Sequence, residues 1–219
     1  MTCLAGRWLG FGWRDPDIRT QPDFEALLGT DGWLRLAPSI RRRFAVNKTR
    51  AHYVGTADLE ASRLGRLIAW LVIPFGRPLP TGTGRQDAEI DLHPARGGVR
   101  WLRHYLRRKL GWECVASTKK IDSEGRLYEC AGPLVMRLAV SEQAGAIIFD
   151  SDGFFLDIAG LKLPIPDLLT PGRIRVVHED LGGDRFRFTL DGEHPVFGRT
   201  YRQVAVFRDK PVDHGDTPC

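Results

Sequence analysis

The chain has 219 residues and a formal charge of +5, from 32 basic and 27 acidic side chains. An apolar fraction of 42% and a charged fraction of 27% exclude disorder for most of it and suit one soluble domain whose core needs no disulfide or metal. So mild a basic excess specifies no partner, and the longest apolar run, Leu67 to Phe75, falls well short of the ~20 residues of a membrane span.

Residues 1–19 are rich in Gly, Trp and Arg without a clear period and lack the features of a signal peptide, so a cytoplasmic location is expected. A short helix follows, with Thr20 as its cap, Pro22 in the first turn, apolar Phe24, Leu27 and Leu28, and Gly29 as the stop. A helical turn from Pro38 carries Arg41, Arg42 and Arg43. Tyr53 to Ala61 reads as a strand. Residues 63–72 place Leu64, Leu67, Ile68, Leu71 and Val72 at helical spacing, an apolar stripe expected to pack on a sheet, and Pro74 closes that helix. From Asp87 onward strands and tight turns dominate. Residues 113–121 and 126–130 make one hairpin, 133–140 and 145–149 a second, and 173–180 and 185–191 a third. Residues 194–208 read as a last long strand, and 209–219 as a flexible polar tail. The fold expected is α+β: a strongly twisted antiparallel sheet of seven to nine strands, half-barrel-like, on a small helical layer. Residues 1–36 form an extension with a short helix and 37–208 a single domain.

The segment GGVRWLRHYLRRKLGW, 97–112, holds six basic residues and three aromatic ones. At helical spacing it would be a cationic amphipathic rod for nucleic acid or a membrane face. It follows a clean strand and a Pro-Gly turn, however, which makes it the return arm of a hairpin. Trp101, Arg103 and Tyr105 then share one face, and Leu102, His104 and Leu106 the other. Arginine can lie along an aromatic neighbour and needs no ligand in that setting.

Catalytic constellations are not evident. There is no G-x-S-x-G, no H-E-x-x-H and no C-x-x-C spacing among Cys3, Cys114, Cys130 and Cys219. Thr81 to Arg85, TGTGR, lacks dinucleotide-binding spacing, and DSDG at 150–153 reads as a turn or bulge. No metal or cofactor is implied. Glu129 lies in a strand leading into Gly132-Pro133. His178 and Glu179 point to opposite faces of theirs, so one of them can meet Glu129 or Arg103 across the sheet. The candidate ligand-binding residues are Trp101, Arg103, Tyr105, Glu129 and Tyr201. A carboxylate with arginine and tyrosine can orient a ligand's polar head, and the apolar, proline-spaced Gly160 to Pro171 either closes the core or forms the mouth of an apolar pocket.

Five motifs occur in an order and spacing that resemble the bacterial family known as domain of unknown function 4166: RWLRHY at 100–105, YECAGPL at 128–134, GLKLPIPDLLTP at 160–171, HEDLGGDRFRF at 178–188 and HPVFGRTYRQ at 194–203. The resemblance supports the strand reading of 100–105 and brings no activity with it. It implies that a domain like this follows a saccharopine-dehydrogenase-like oxidoreductase domain, or a membrane segment, in some proteins; a partner oxidoreductase is one expectation from that. The reading favoured is a module that binds an apolar or lipid-like small molecule between curved sheet and helix. The alternatives are an accessory or catalytic domain of an oxidoreductase-linked enzyme and, with least support, a basic-surface nucleic-acid binder.

Overall fold

A computed structural model describes residues 21–107 and 111–210. Two helices come first among the described residues. Asp23 caps the first, α1 (Phe24–Arg35), its carboxylate accepting from the Ala26 N–H at 3.0 Å. Thr20, the cap expected from sequence, lies outside the described residues. Gly29 breaks the helix as its left-handed φ of 71° requires, but the chain resumes helical geometry beyond it, so Gly29 is a kink and not a stop. The second helix, α2 (Pro38–Phe44), starts on its proline.

Eleven strands follow: β1 (Ala51–Ala61), β2 (Gly84–Ala95), β3 (Gly98–Arg107), β4 (Gly111–Ile121), β5 (Leu127–Ala131), β6 (Leu134–Gln143), β7 (Ala146–Ile158), β8 (Leu161–Pro164), β9 (Arg173–Gly182), β10 (Arg185–His194) and β11 (Gly198–Lys210). One helix, α3 (Arg63–Leu71), and a 3-10 turn at Ile73–Phe75 fill the long β1–β2 connection, and a second 3-10 turn, Asp167–Leu169, follows β8. The basic segment of residues 98–107 is a strand, as alternation predicts.

All pairings are antiparallel, and β1 pairs with both β2 and β11. Because β6 also pairs with β7, and β7 with β9, ten strands close into a ring with β8 outside it. The seven-to-nine-stranded half-barrel expected from sequence is therefore a closed ten-stranded barrel with one flanking strand. Closure gives every strand of the ring a partner on both sides. The expected final strand divides: His194 ends β10, a turn intervenes, and β11 begins at Gly198. DSDG lies within β7, where the register against β6 shifts between Met136 and Leu138, a bulge.

The meander sends alternate connections to opposite ends. At one end α1 and α2 enter the lumen. The Ala37 N–H donates to the Gly145 carbonyl at 2.9 Å, and Gln21 donates to the Arg43 and Lys48 carbonyls at 3.0 and 2.6 Å. Phe24 and Phe44 are fully buried there against Phe149, with ring centroids 5.8 and 5.7 Å away. Thus α1, which precedes the 37–208 domain read from sequence, contributes to the same core.

The other end carries α3, both 3-10 turns and the proline-spaced segment. Gly65 allows α3 to approach β11, since a Cβ there would collide with the Thr200 carbonyl oxygen. The stripe expected to pack on the sheet does so only in part. Leu64, Ile68 and Val72 are half-buried, whereas Leu67 and Leu71 are 54% and 62% exposed; the residues of α3 that bury fully are Gly65 and Ala69.

Candidate functional site

Period-two geometry sends Arg103 of β3, Ser117 and Lys119 of β4 and Glu129 of β5 to the barrel interior. The hairpin register sets Lys119 opposite Glu129, and β3–β4 pairing brings Arg103 two positions from Ser117. The Glu129 carboxylate accepts from the Arg103 guanidinium at 2.8 Å, the Ser117 hydroxyl at 2.6 Å and the Lys119 ammonium at 2.8 Å. Arg103 also donates to Ser117 at 2.8 Å. Burial alone would raise the Glu129 pKa, but Lys119 and Arg103 outweigh it and hold the carboxyl well below its usual range. The opposite holds for Lys119, where burial dominates and lowers the pKa against the pull of Glu129. One carboxylate thus faces two interior cations.

Above this cluster, toward the α3 end, lies a cavity of about 150 Å³. Arg103, Ser117, Lys119 and Glu129 form its polar floor. Its walls are apolar: Met136, Phe154, Val176 and Leu190 from strands, and Ile68 and Val72 from α3 and the residue after it. Ile165, Leu169 and Pro171 complete the lining, so the proline-spaced segment borders this space. The cavity opens beside a seam in the barrel: β7 pairs with β9 only from Ile147 to Asp150 and with β8 from Phe155 to Ile158, which parts β9 from the end of β7. A wider depression of about 350 Å³ lies beside Leu27 and Arg126, but its Arg137 and Asp152 already pair with each other at 2.9 Å.

Of the five residues expected to bind a ligand, Arg103 and Glu129 meet and face the cavity. Trp101 instead stacks on Phe44 at 6.0 Å on the plugged side. Tyr105 is buried and exchanges hydrogen bonds with Gln203 at 3.0–3.2 Å. Tyr201 is buried, does not line the cavity, and its hydroxyl lacks a hydrogen-bond partner among the described residues. His178 enters the lumen between Phe44 and Phe188, with centroids 5.0 and 5.1 Å away. Burial, with Lys119, Arg43 and Arg103 nearby, lowers its pKa well below the usual value, so the ring is neutral. Glu179 points outward to Arg187 at 2.9 Å.

Sequence reasoning missed Lys119 and Ser117. Counting back from the turn between Ile121 and Leu127 places Lys119 across from Glu129, so the signal was present in the hairpin. Among the described residues no group of His, Cys, Asp and Glu could hold a metal ion. Cys114 and Cys130 are free thiols, and no described helix is long and apolar enough to cross a membrane.

These features define a plugged antiparallel barrel with an ionic floor beneath an apolar cavity. The chain belongs to the family described as domain of unknown function, DUF4166, whose model matches residues 36–207. Among curated proteins none matches significantly. Among solved structures it is similar to a variant of the PpsC dehydratase domain from Mycobacterium tuberculosis, at 15% identity over 91% of this chain and 97% of that one, with a TM-score of 0.20. The dehydratase domain from the CurF module of curacin polyketide synthase is similar at 8% identity, over 88% and 86% of the two chains, with a TM-score of 0.17. Scores this low carry no argument about fold or chemistry.

Proposed function

We propose that this domain is a binding module that holds a small apolar or lipid-like molecule in the barrel, its polar head oriented by Arg103, Lys119 and Glu129. The observation that carries this reading is the cavity itself: apolar walls over a charged floor, in a barrel otherwise filled by its own helices. A few convergent polar groups within apolar walls are the usual make-up of a ligand site. The volume bounds the guest, because an apolar cavity of ~150 Å³ accommodates a benzene-sized molecule. A short acyl or single-ring compound fits, and a long extended acyl chain does not fit wholly inside.

A catalytic reading is less favoured by the same geometry. A carboxyl held far below its ordinary pKa is ionised at neutral pH, so it has no proton to donate, and its basicity is weakened as well. A nucleic-acid reading suffers from the division of the basic residues between faces. Arg43 and Arg103 are buried inside the barrel, while Arg42 and Arg100 are exposed.

The test is to titrate the protein with benzene and with 1-hexanol while following methyl resonances by NMR. Shifts are expected for Ile68, Ile165 and Leu190, and Ala131→Leu, which places three carbons in the cavity, is expected to abolish them. Unshifted resonances at saturation, together with no small molecule in native mass spectra of freshly purified protein, would overturn the reading.

A further inference from the structure

The two ends of the barrel differ in what they show to solvent. Fifteen large apolar side chains are exposed among the described residues, and thirteen lie at or next to the α3 end. The two others, Leu34 and Val46, lie at the plugged end. Monomeric proteins rarely gather so much apolar surface in one place without using it. We infer that the α3 end of the barrel docks on an anionic lipid surface, with α3 lying along the interface.

The β1–β2 connection carries the argument. From Ala61 to Gln86 it contains Arg63, Arg66, Arg77 and Arg85 and no acidic residue. Arg63 and Arg66 are exposed on α3, beside the exposed Leu67, Trp70 and Leu71. Arginines flanking tryptophan and leucine on one short amphipathic helix are the composition of a segment that lies in a headgroup layer. The buried side of α3 is already committed: Gly65 and Ala69 seat it against β11, so its apolar outer side has no role in the core.

Neighbouring connections extend the same surface. Leu168 and Leu169 are 61% and 72% exposed, and Val196 and Phe197 are 68% and 59% exposed. The His194 ring, which contacts the Leu168 carbonyl at 3.4 Å, ties those two segments together. Leu169 also lines the cavity, so the rim is continuous with the space below it. Charge selects the occupant. Arg77 already faces the Glu113 carboxylate at 3.8 Å, but a protein partner or a second copy of the chain has no general need for the other three arginines on a connection without an acid, whereas an anionic leaflet attracts each of them. The inference goes beyond the binding reading and stands without it.

The experiment is flotation of the full chain with vesicles of phosphatidylcholine alone and of phosphatidylcholine with phosphatidylglycerol, at low and high salt. The chain is expected to float with the anionic vesicles at low salt and much less at high salt, because salt screens exposed charges. Each of Arg63→Gln and Arg66→Gln is expected to weaken partition about fivefold. Trp70→Glu is expected to abolish flotation, while Leu34→Glu at the plugged end leaves it intact. These positions are exposed, and the salt and lipid comparison on the unmodified chain needs no variant. Failure to float with anionic vesicles would overturn the inference, as would equal loss in Leu34→Glu. Self-association that Trp70→Glu dissolves, without vesicle binding, would assign the surface to a second copy instead. If vesicles bind but benzene and hexanol do not enter the cavity, the docking surface stands and the ligand reading falls.

Discussion

The barrel's two halves solve the same problem in different ways. A ten-stranded ring encloses more space than its own inward side chains fill. At one end α1 and α2 occupy that space, so Phe24 and Phe44 meet Phe149, Trp101 and His178 at ring-centroid distances of 5.0–6.0 Å. At the other, α3 sits on the rim and leaves about 150 Å³ beneath it. Both halves bury cations. Arg43 in the plug lies 3.7 Å over the Phe186 ring, with its nearest carboxylate, Asp209, at 3.9 Å. Lys119 and Arg103 share Glu129 at 2.8 Å. Protein interiors are close-packed, with few voids larger than a water molecule. The contrast between a filled half and a hollow half is what supports the ligand-binding proposal.

Breaking the filled half should have the largest effect. Phe44→Ala removes the ring at the centre of the plug and should cost about 3–5 kcal/mol in chemical denaturation. A loss under about 1 kcal/mol would show that the helices do not fill the lumen in solution. Glu129→Ala should come next, at about 3–5 kcal/mol, because it strands two buried cations. Its pH signature separates it from a packing defect. The folded pKa of Glu129 is depressed, so its stabilisation is present above the unfolded value of about 4.5 and is lost as pH falls below it. The variant should therefore show a shallower acid limb.

Small-to-large changes sharpen the comparison further. Ala57→Leu, in the packed core and outside the cavity lining, should cost about 1–3 kcal/mol, while Ala131→Leu, beside the cavity, should cost less than ~1 kcal/mol. Equal costs would mean that the space beside Ala131 is as tightly packed as the core around Ala57.

The smallest effect lies on the outer wall, away from both halves. His104 contacts Asp91 at 3.3 Å, and His52 contacts the same carboxylate at 2.6 Å, with Glu89 3.8 Å from His52. The hydrogen bond to Asp91, then that to Cys114, raises the His104 pKa to about 10. A raised folded pKa stabilises fully below the unfolded value of about 6.5, and that stability is lost as pH climbs toward 10. Melting temperature should fall over that window, and Asp91→Asn should flatten the slope while leaving ligand binding unchanged.

Alternation made part of the site readable in advance. It put Arg103 on the face opposite His104, and it named the proline-spaced segment as either core or pocket mouth. The segment borders the cavity through Ile165, Leu169 and Pro171, while Leu168 faces solvent. Trp101 and Tyr105 share the inward face with Arg103 but do not line the cavity, although the Lys119 ammonium of its floor lies 5.4 Å from the Trp101 ring. Residues two apart on a strand share a side but stand well apart along it. Trp101 therefore falls beside the plug and Arg103 beside the cavity. Lys119 was within reach, since a short turn sets hairpin register.

By itself the sequence determined most of what is local: most strands and tight turns and which side of each strand is apolar, although it read Gly29 as a stop where the helix only kinks and 194–208 as one strand where a turn divides it. Those depend on side-chain period and backbone sterics over a few residues. Tertiary structure alone decided that β1 meets β11 across some 150 residues and closes the ring, that α1 and α2 enter one end, and that a cavity remains at the other. Closure and filling depend on how many strands the whole chain assembles and what volume its helices occupy, quantities that no short stretch of sequence contains.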